Sequence, residues 1–252
     1  MSHLNEILNS FSSITLEEME NVRLMNRTDS KFVFRYSQLN ALLNLLQPNY
    51  RIVEINGERA LAYNTVYYDT AERDLYLHHH RGALNRYKVR HRTYVSSGIG
   101  FLEVKFKNNH GRTNKDRIHC NTLPSVFEKE TAKFIRKKTP FAHETLHPVI
   151  HVYYRRITLV GISAAERVTL DLDLTFSGNG STKKMDFLVI AEVKQPGKQK
   201  TPIGEALRQL RIKPGGLSKY CMGMISIYPE LKQNNFKRKL YTLDKLKYEP
   251  IV

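Results

Sequence analysis

The chain has 252 residues, with 40 Lys and Arg against 24 Asp and Glu, a formal charge of +16 at pH 7 and a hydrophobic fraction of 41%. That length and apolar content suffice for a core and exclude a disordered chain, while two cysteines, Cys120 and Cys221, exclude a disulfide framework and a four-thiolate zinc site. No apolar run reaches the roughly 18 residues of a membrane helix, and MSHLNEILNSF lacks the order of a secretory signal, so a cytoplasmic protein with an anionic partner is expected.

Leu4, Ile7, Leu8 and Phe11, then Leu16, Met19 and Val22, recur at helical spacing and predict short amphipathic helices at the start. Ser37 then caps a helix through SQLNALLNLLQ, which Pro48 ends. Beyond Tyr50 the period changes to two. YRIVEIN and RALAYNTVYYDT flank Asn56-Gly57-Glu58, which reads as a hairpin turn. A short helix is expected at ERDLYLHHH. NRYKVRHRTYV and FLEVKFK make a second hairpin across Ser96-Ser97-Gly98, and Asn108 to Gly111 turns the chain into the strand RTNKDRIHCN. Pro124 opens a helix through Lys137. Strands follow at VIHVYYRRITL, ERVTLDLDLTF and KMDFLVIAEVKQ, the last two joined by a turn at Ser177-Gly178-Asn179-Gly180. Helices near PIGEALRQLR and from Ser218 complete the pattern, and the tail from about Gln233 is basic and weakly periodic. No repeat or linker divides the chain, so a single domain over 1–252 is expected. Its class is α+β, dominated by antiparallel strands.

Alternation sends residues i, i+2 and i+4 to one face of a strand. Arg86, Lys88, Arg90 and Arg92 then share a face, as do Glu103, Lys105 and Lys107, and Lys115 with Arg117. Tyr153 pairs with Arg155; Arg167, Thr169, Asp171 and Asp173 line up; Glu192 and Lys194 close the series. A solvated outer face is the ordinary reading of any one such strand. Taken together the faces are one-sided: eleven of the fifteen ionisable groups are Lys or Arg. Like charges across strands destabilise a sheet, and the arrangement becomes tolerable when an anion sits among them. If the sheet curls, these faces line a basic tunnel. Lys213-Pro-Gly-Gly-Leu-Ser218-Lys219 precedes a helix whose N-terminus either holds an anion or is simply capped by Ser218. His78, His79 and His80 are adjacent and splay apart on a helix, so they do not share a metal. No Walker A, G-x-S-x-G or H-E-x-x-H motif is present.

The ordered motifs RTDSK, YNTVYYDT, KVRHR, LEVKFK, GRTNKDRI, YYR, RVTLDLDL, IAEVKQ and LSKY, from about Arg23 to Tyr228, resemble the polyphosphate-polymerase domain of the vacuolar transporter chaperone (VTC) family. That family lies among the triphosphate tunnel metalloenzymes. The resemblance implies a closed antiparallel β-barrel of about eight strands with flanking helices: a core over 23–228, a helical segment over 1–22 and a basic tail over 233–252. It implies a catalytic set of Lys31, Arg90, Arg92, Lys105, Arg155 and Lys219, with Lys115, Tyr153 and Ser218 binding phosphate. Lys88, Arg117, Arg167 and Lys194 join the substrate-binding set by alternation. Glu192 is implied as the carboxylate holding Mn²⁺ or Mg²⁺. The implied partners are ATP and inorganic polyphosphate or triphosphate, and no nucleic acid.

The Glu-x-Glu-x-Lys run of many tunnel enzymes is replaced here by Arg27-Thr-Asp-Ser-Lys31, which favours the polymerase branch. The sequence contains no stretch that reads as an SPX domain or a membrane helix. A stand-alone relative is expected, with any membrane location or export supplied by a separate membrane protein. Two other readings remain: a tripolyphosphatase or nucleoside triphosphatase of the same fold, and a non-catalytic polyanion- or RNA-binding module.

Overall fold

The two-residue periodicity of the middle of the chain folds into one large sheet. The computed structural model describes residues 2–21, 27–197 and 200–248. The expected helical position Val22 and the expected core start at Arg23 lie outside them. Among the described residues the strands are β1 (Ser13–Ile14), β2 (Arg27–Arg35), β3 (Tyr50–Val53), β4 (Leu61–Asp69), β5 (Arg86–Tyr94), β6 (Ile99–Lys107), β7 (Thr113–His119), β8 (His147–Gly161), β9 (Arg167–Gly178), β10 (Ser181–Met185) and β11 (Leu188–Pro196). The helices are α1 (Ser2–Asn9), α2 (Leu16–Asn21), α3 (Leu39–Leu46), α4 (Asp74–His80), α5 (Lys129–Lys138), α6 (Pro202–Gln209), α7 (Lys219–Ile227) and α8 (Lys237–Tyr248).

The hydrogen-bonded path runs β2-β11-β9-β8-β4-β5-β6-β7, with β10 beside β9 and β3 beside β8. Every pairing is antiparallel except β1 with β3. The expected closure into a barrel is not made: β2 and β7 end the path, and among the described residues they do not pair. The far edge of β2 is already taken. Phe32 bridges Pro214, and the Gly215 N–H donates to the Lys31 carbonyl at 2.8 Å, so the backbone groups a closing β7 would need are filled.

Two apolar layers hold the sheet. Leu39, Leu42, Leu43 and Leu46 of α3 are fully buried with α1 and α6 against Val168, Leu170 and Leu172 of β9 and Val189, Ala191 and Val193 of β11. The opposite face of the sheet carries α7, whose Tyr220, Met222 and Met224 pack with Ile150, Val152, Leu174 and Phe176. An alanine at Gly223 would place its Cβ 2.5 Å from Ile150 Cδ1 and 2.7 Å from Phe176 Cδ1, so glycine is what lets α7 lie this close.

Four local expectations change. Asn56 and Gly57 do form a tight left-handed turn (φ 52° and 78°) closing an Ile55–Glu58 bridge, but β3 and β4 do not pair with each other. Both lie along the fifteen-residue β8, which is long enough to seat them end to end. The helix expected from Pro124 starts at Lys129, because the Pro124 carbonyl accepts from Tyr68 (2.6 Å) and Phe127 packs on that ring, holding the segment extended. KMDFLVIAEVKQ is two strands, β10 and β11, broken at Asp186-Phe187, where the Phe187 carbonyl accepts from Tyr36 N–H. The described part of the tail is helical: Leu243 of α8 is buried, Leu240 and Leu246 are partly so, and Arg35 donates to the Lys245 and Leu246 carbonyls.

Candidate functional site

Paired residues in an antiparallel ladder share a face, so the register sorts the side chains. One row reads Lys115, Lys105, Lys88 across β7, β6 and β5. The next reads Arg117, Glu103, Arg90, Tyr67 and Ile150, ending on β8. A third reads His119, Phe101, Arg92, Thr65 and Val152. Toward β2 the rows are Leu61, Arg156, Asp171, Ile190, Val33; then Thr158, Thr169, Glu192, Lys31; then Val160, Arg167, Lys194, Asp29. All six rows occupy the face that carries α7.

That face is concave. Lys31 and Lys105 stand six strands apart on the path, about 29 Å in a flat sheet and far beyond a Debye length of about 8 Å. Yet Lys31 and Glu192 both act electrostatically on Lys105. Only a curled sheet brings β2 and β11 that close to β6. Helix α7 enters this hollow N-terminus first. Ser218 caps it, accepting from Cys221 N–H (3.2 Å) and from Lys88 Nζ (3.1 Å). Lys219 reaches across to Asp171. Tyr220 stacks on Tyr67, and its hydroxyl donates to Asp69, which also accepts from the N–H groups of Thr70, Leu75 and Tyr76. That buried anchor fixes the aim of the helix.

The charges are tightly coupled. Burial within the hollow, and then the like charges of Lys105, Lys31 and Arg90, pull Lys88 down to about 8. Burial, with Lys31 and Arg90 next, does the same to Lys105. Burial alone would raise Glu103, but Arg90, Arg92 and Lys115 hold it down to about 2; Arg90 Nε donates to it at 2.6 Å and Lys115 pairs with it. Asp171 takes a two-pronged contact from Arg156 (2.6 and 2.8 Å) besides Lys219, and stays well below the usual carboxylate range against the opposing effect of burial. Tyr154 Oη is buried, with no hydrogen-bond partner among the described residues. Burial would raise that phenol, yet Arg92, Arg156 and Lys219 bring it below its ordinary value. An unpartnered hydroxyl ringed by three cations fits an anionic oxygen acceptor.

Twelve of the fourteen expected site residues are therefore assembled on one hollow: Lys31, Lys88, Arg90, Arg92, Lys105, Lys115, Arg117, Arg167, Glu192 and Lys194 by register, Ser218 and Lys219 from α7. Tyr153 and Arg155 are not. Arg155 pairs with Leu172, which belongs to the outer apolar layer, and Tyr153 is 41% exposed. Asp173 also leaves the inner row. It sits at φ 54° at a break in the β8–β9 register, where it salt-bridges Arg155 and passes the inner face to Leu174 and Phe176. The inward members of the YYRR run are Tyr154 and Arg156, which alternation starting from Tyr153 skips. Arg156 lies over the rings of Tyr63 and Tyr154 at 5.2 and 5.5 Å.

No group of three or more His, Cys, Asp or Glu side chains placed to hold a metal occurs among the described residues. Glu103 and Asp171 are each engaged by two cations, whereas Glu192 has Lys194 at 3.2 Å. A hard divalent ion is commonly bound by one or two carboxylates together with phosphate oxygens and water. Glu192 fits an ion that arrives with phosphate, and not a resident all-protein cage.

Comparison with known proteins follows the same lines. The VTC domain family matches residues 26–228. Among solved structures, HpAC1 from Hippeastrum, an adenylyl cyclase candidate described as having dominant triphosphatase activity, superposes with a TM-score of 0.50 at 14% identity, over 80% of this chain and 96% of its own. An adenylate cyclase candidate from Vibrio parahaemolyticus gives 0.45 at 13% identity, over 79% and 99%. Nothing among curated proteins matches. With the domain match spanning most of its length, this chain belongs to the VTC domain family.

Proposed function

We propose that the protein is a polyphosphate polymerase acting in the basic hollow of the curled sheet. The terminal oxygen of a polyphosphate attacks the γ-phosphorus of ATP. The bond to the β–γ bridging oxygen breaks, and ADP leaves with that electron pair. Such transfers depend on in-line positioning and on neutralising charge spread over the phosphoryl oxygens. Arg90, Arg92 and Arg156 grip phosphate oxygens as forks, while Lys31, Lys105, Lys115 and Lys219 act as point charges. The Tyr154 hydroxyl donates to a phosphate oxygen, as does the Ser218 end of α7. Glu192 would hold a divalent ion, Mn²⁺ or Mg²⁺, which supplies further charge neutralisation. No general base is needed, because a terminal phosphate is already ionised at neutral pH. Arg155 and Tyr153 take no part in this reading.

The observation that supports the proposal is the inner register: rows across seven strands carry cations on one concave face, with a buried unpartnered hydroxyl among them. The test supplies purified protein with ATP and Mn²⁺ and looks for long polyphosphate on a gel. Release of orthophosphate from triphosphate with no polymer would favour the second reading, a triphosphatase. The activity described for HpAC1, a protein of the same fold, gives that reading its support.

A further inference from the structure

Helix α8 lies outside the hollow and presents a face the proposed chemistry does not use. Its inner stripe, Leu240, Leu243 and Leu246, packs on the protein. Its outer stripe is Lys237 with Arg238, Tyr241, Lys245 and Tyr248, the last four spaced three or four residues apart, with Asp244 as the one acid of the helix. Tyr241 and Tyr248 are 62% and 72% exposed. Each ring carries a lysine ammonium 4.8 Å from its centroid, Lys245 on Tyr241 and Lys247 on Tyr248. Arg35 of β2 donates to two of the last carbonyls of the helix and so ties its end to the sheet.

A merely solvated helix face would mix acids with bases and would not expose two tyrosines. From this we infer that the α8 stripe docks on an anionic lipid surface. The two rings sit seven residues apart, about 10.5 Å along the axis, on the outward side of a surface helix. A single-stranded polyanion is usually tracked by a groove with stacking platforms, whereas one exposed face of a helix matches a plane. Tyrosine suits the headgroup layer, where its ring is apolar and its hydroxyl wet. Clustered Lys and Arg on such a helix are drawn to an anionic leaflet.

The test sediments the full chain with vesicles of phosphatidylcholine alone and of phosphatidylcholine with phosphatidylglycerol. Binding is expected only to the anionic vesicles, and it should fall as salt is raised. The triple variant Lys237→Gln/Arg238→Gln/Lys245→Gln should bind them about a hundredfold more weakly, and Tyr241→Ala/Tyr248→Ala should also reduce binding. Both variants should keep the parent circular dichroism and triphosphate affinity. Equal binding to both kinds of vesicle, or anionic binding unchanged by the triple variant, overturns the proposal. So does a triple variant that loses affinity for single-stranded RNA or long polyphosphate while holding vesicles as before. This inference stands apart from the polymerase proposal, since vesicle binding is read without ATP.

Discussion

Lys88 and Lys105 give the hollow a measurable proton signature. Both are pulled down to about 8 by burial and by neighbouring cations. A group with a pKa of about 8 is about nine-tenths protonated at pH 7, half at pH 8 and one-tenth at pH 9. Inorganic triphosphate bound among these lysines removes the penalty on their charge, so both become fully protonated in the complex. Binding should then take up about 0.2 proton at pH 7, about 1 at pH 8 and about 1.8 at pH 9. Integrated across that range, affinity falls about a hundredfold from pH 7 to pH 9. Free triphosphate loses its last proton in this same range, which offsets part of both figures, so the lysine share is read as the difference between the parent and Lys105→Arg. Isothermal titration in two buffers of different ionisation enthalpy, without metal, reads the uptake directly. Lys105→Arg should roughly halve it, because a guanidinium stays charged. Uptake at pH 8 that is the same in the parent and in Lys105→Arg would falsify the placement of these lysines against bound phosphate.

The same lysines set a stability trend in the unliganded protein. Between pH 8 and the ordinary lysine value of about 10.4 the unfolded chain binds more protons than the folded one, so stability should rise with pH there, as urea titrations at pH 8 and 10 can check. Arg156→Ala should weaken triphosphate binding about ten- to a hundredfold, the worth of a charged hydrogen bond, while Arg155→Ala stays within about threefold; equal losses would reverse the assignment of faces. Glu192→Gln should abolish metal-dependent turnover, with a melting temperature close to that of the parent; retained turnover removes it from the metal role. Gly223→Ala forces a methyl against Ile150 and Phe176 and should cost about 1–3 kcal/mol in denaturant unfolding; a neutral result would mean α7 packs more loosely than described.

Where one face of a strand was apolar and the other charged, the amino-acid pattern alone sorted them. Val89 and Val104 are buried on the outer side of β5 and β6, as Lys88, Arg90, Glu103 and Lys105 required. The first half of β9 and all of β11 follow the same logic. The pattern failed on β8 because YYRR offers a tyrosine and an arginine to each face. Only the pairing of Arg156 with Asp171 decides, and that is a long-range fact. Asp173 escaped for a related reason: a bulge adds one residue and exchanges inside for outside beyond it. Strand closure was likewise illegible, since the Pro214 segment that occupies the edge of β2 is 182 positions from Phe32. The tail hid its helix because α8 has only three leucines to pack, and much of its support comes from Arg35.

The hollow carries eleven named cations (Lys31, Lys88, Arg90, Arg92, Lys105, Lys115, Arg117, Arg156, Arg167, Lys194 and Lys219) against the carboxylates Asp29, Glu103, Asp171 and Glu192. So large a surplus draws chloride or orthophosphate in from the surrounding electrolyte. An arriving chain evicts them, and their return to bulk is an entropic gain that grows with every ion freed. One long molecule liberates many small ones while surrendering the mobility of a single body. On the proposed function, such a cavity would sort its guests by length before any bond is made.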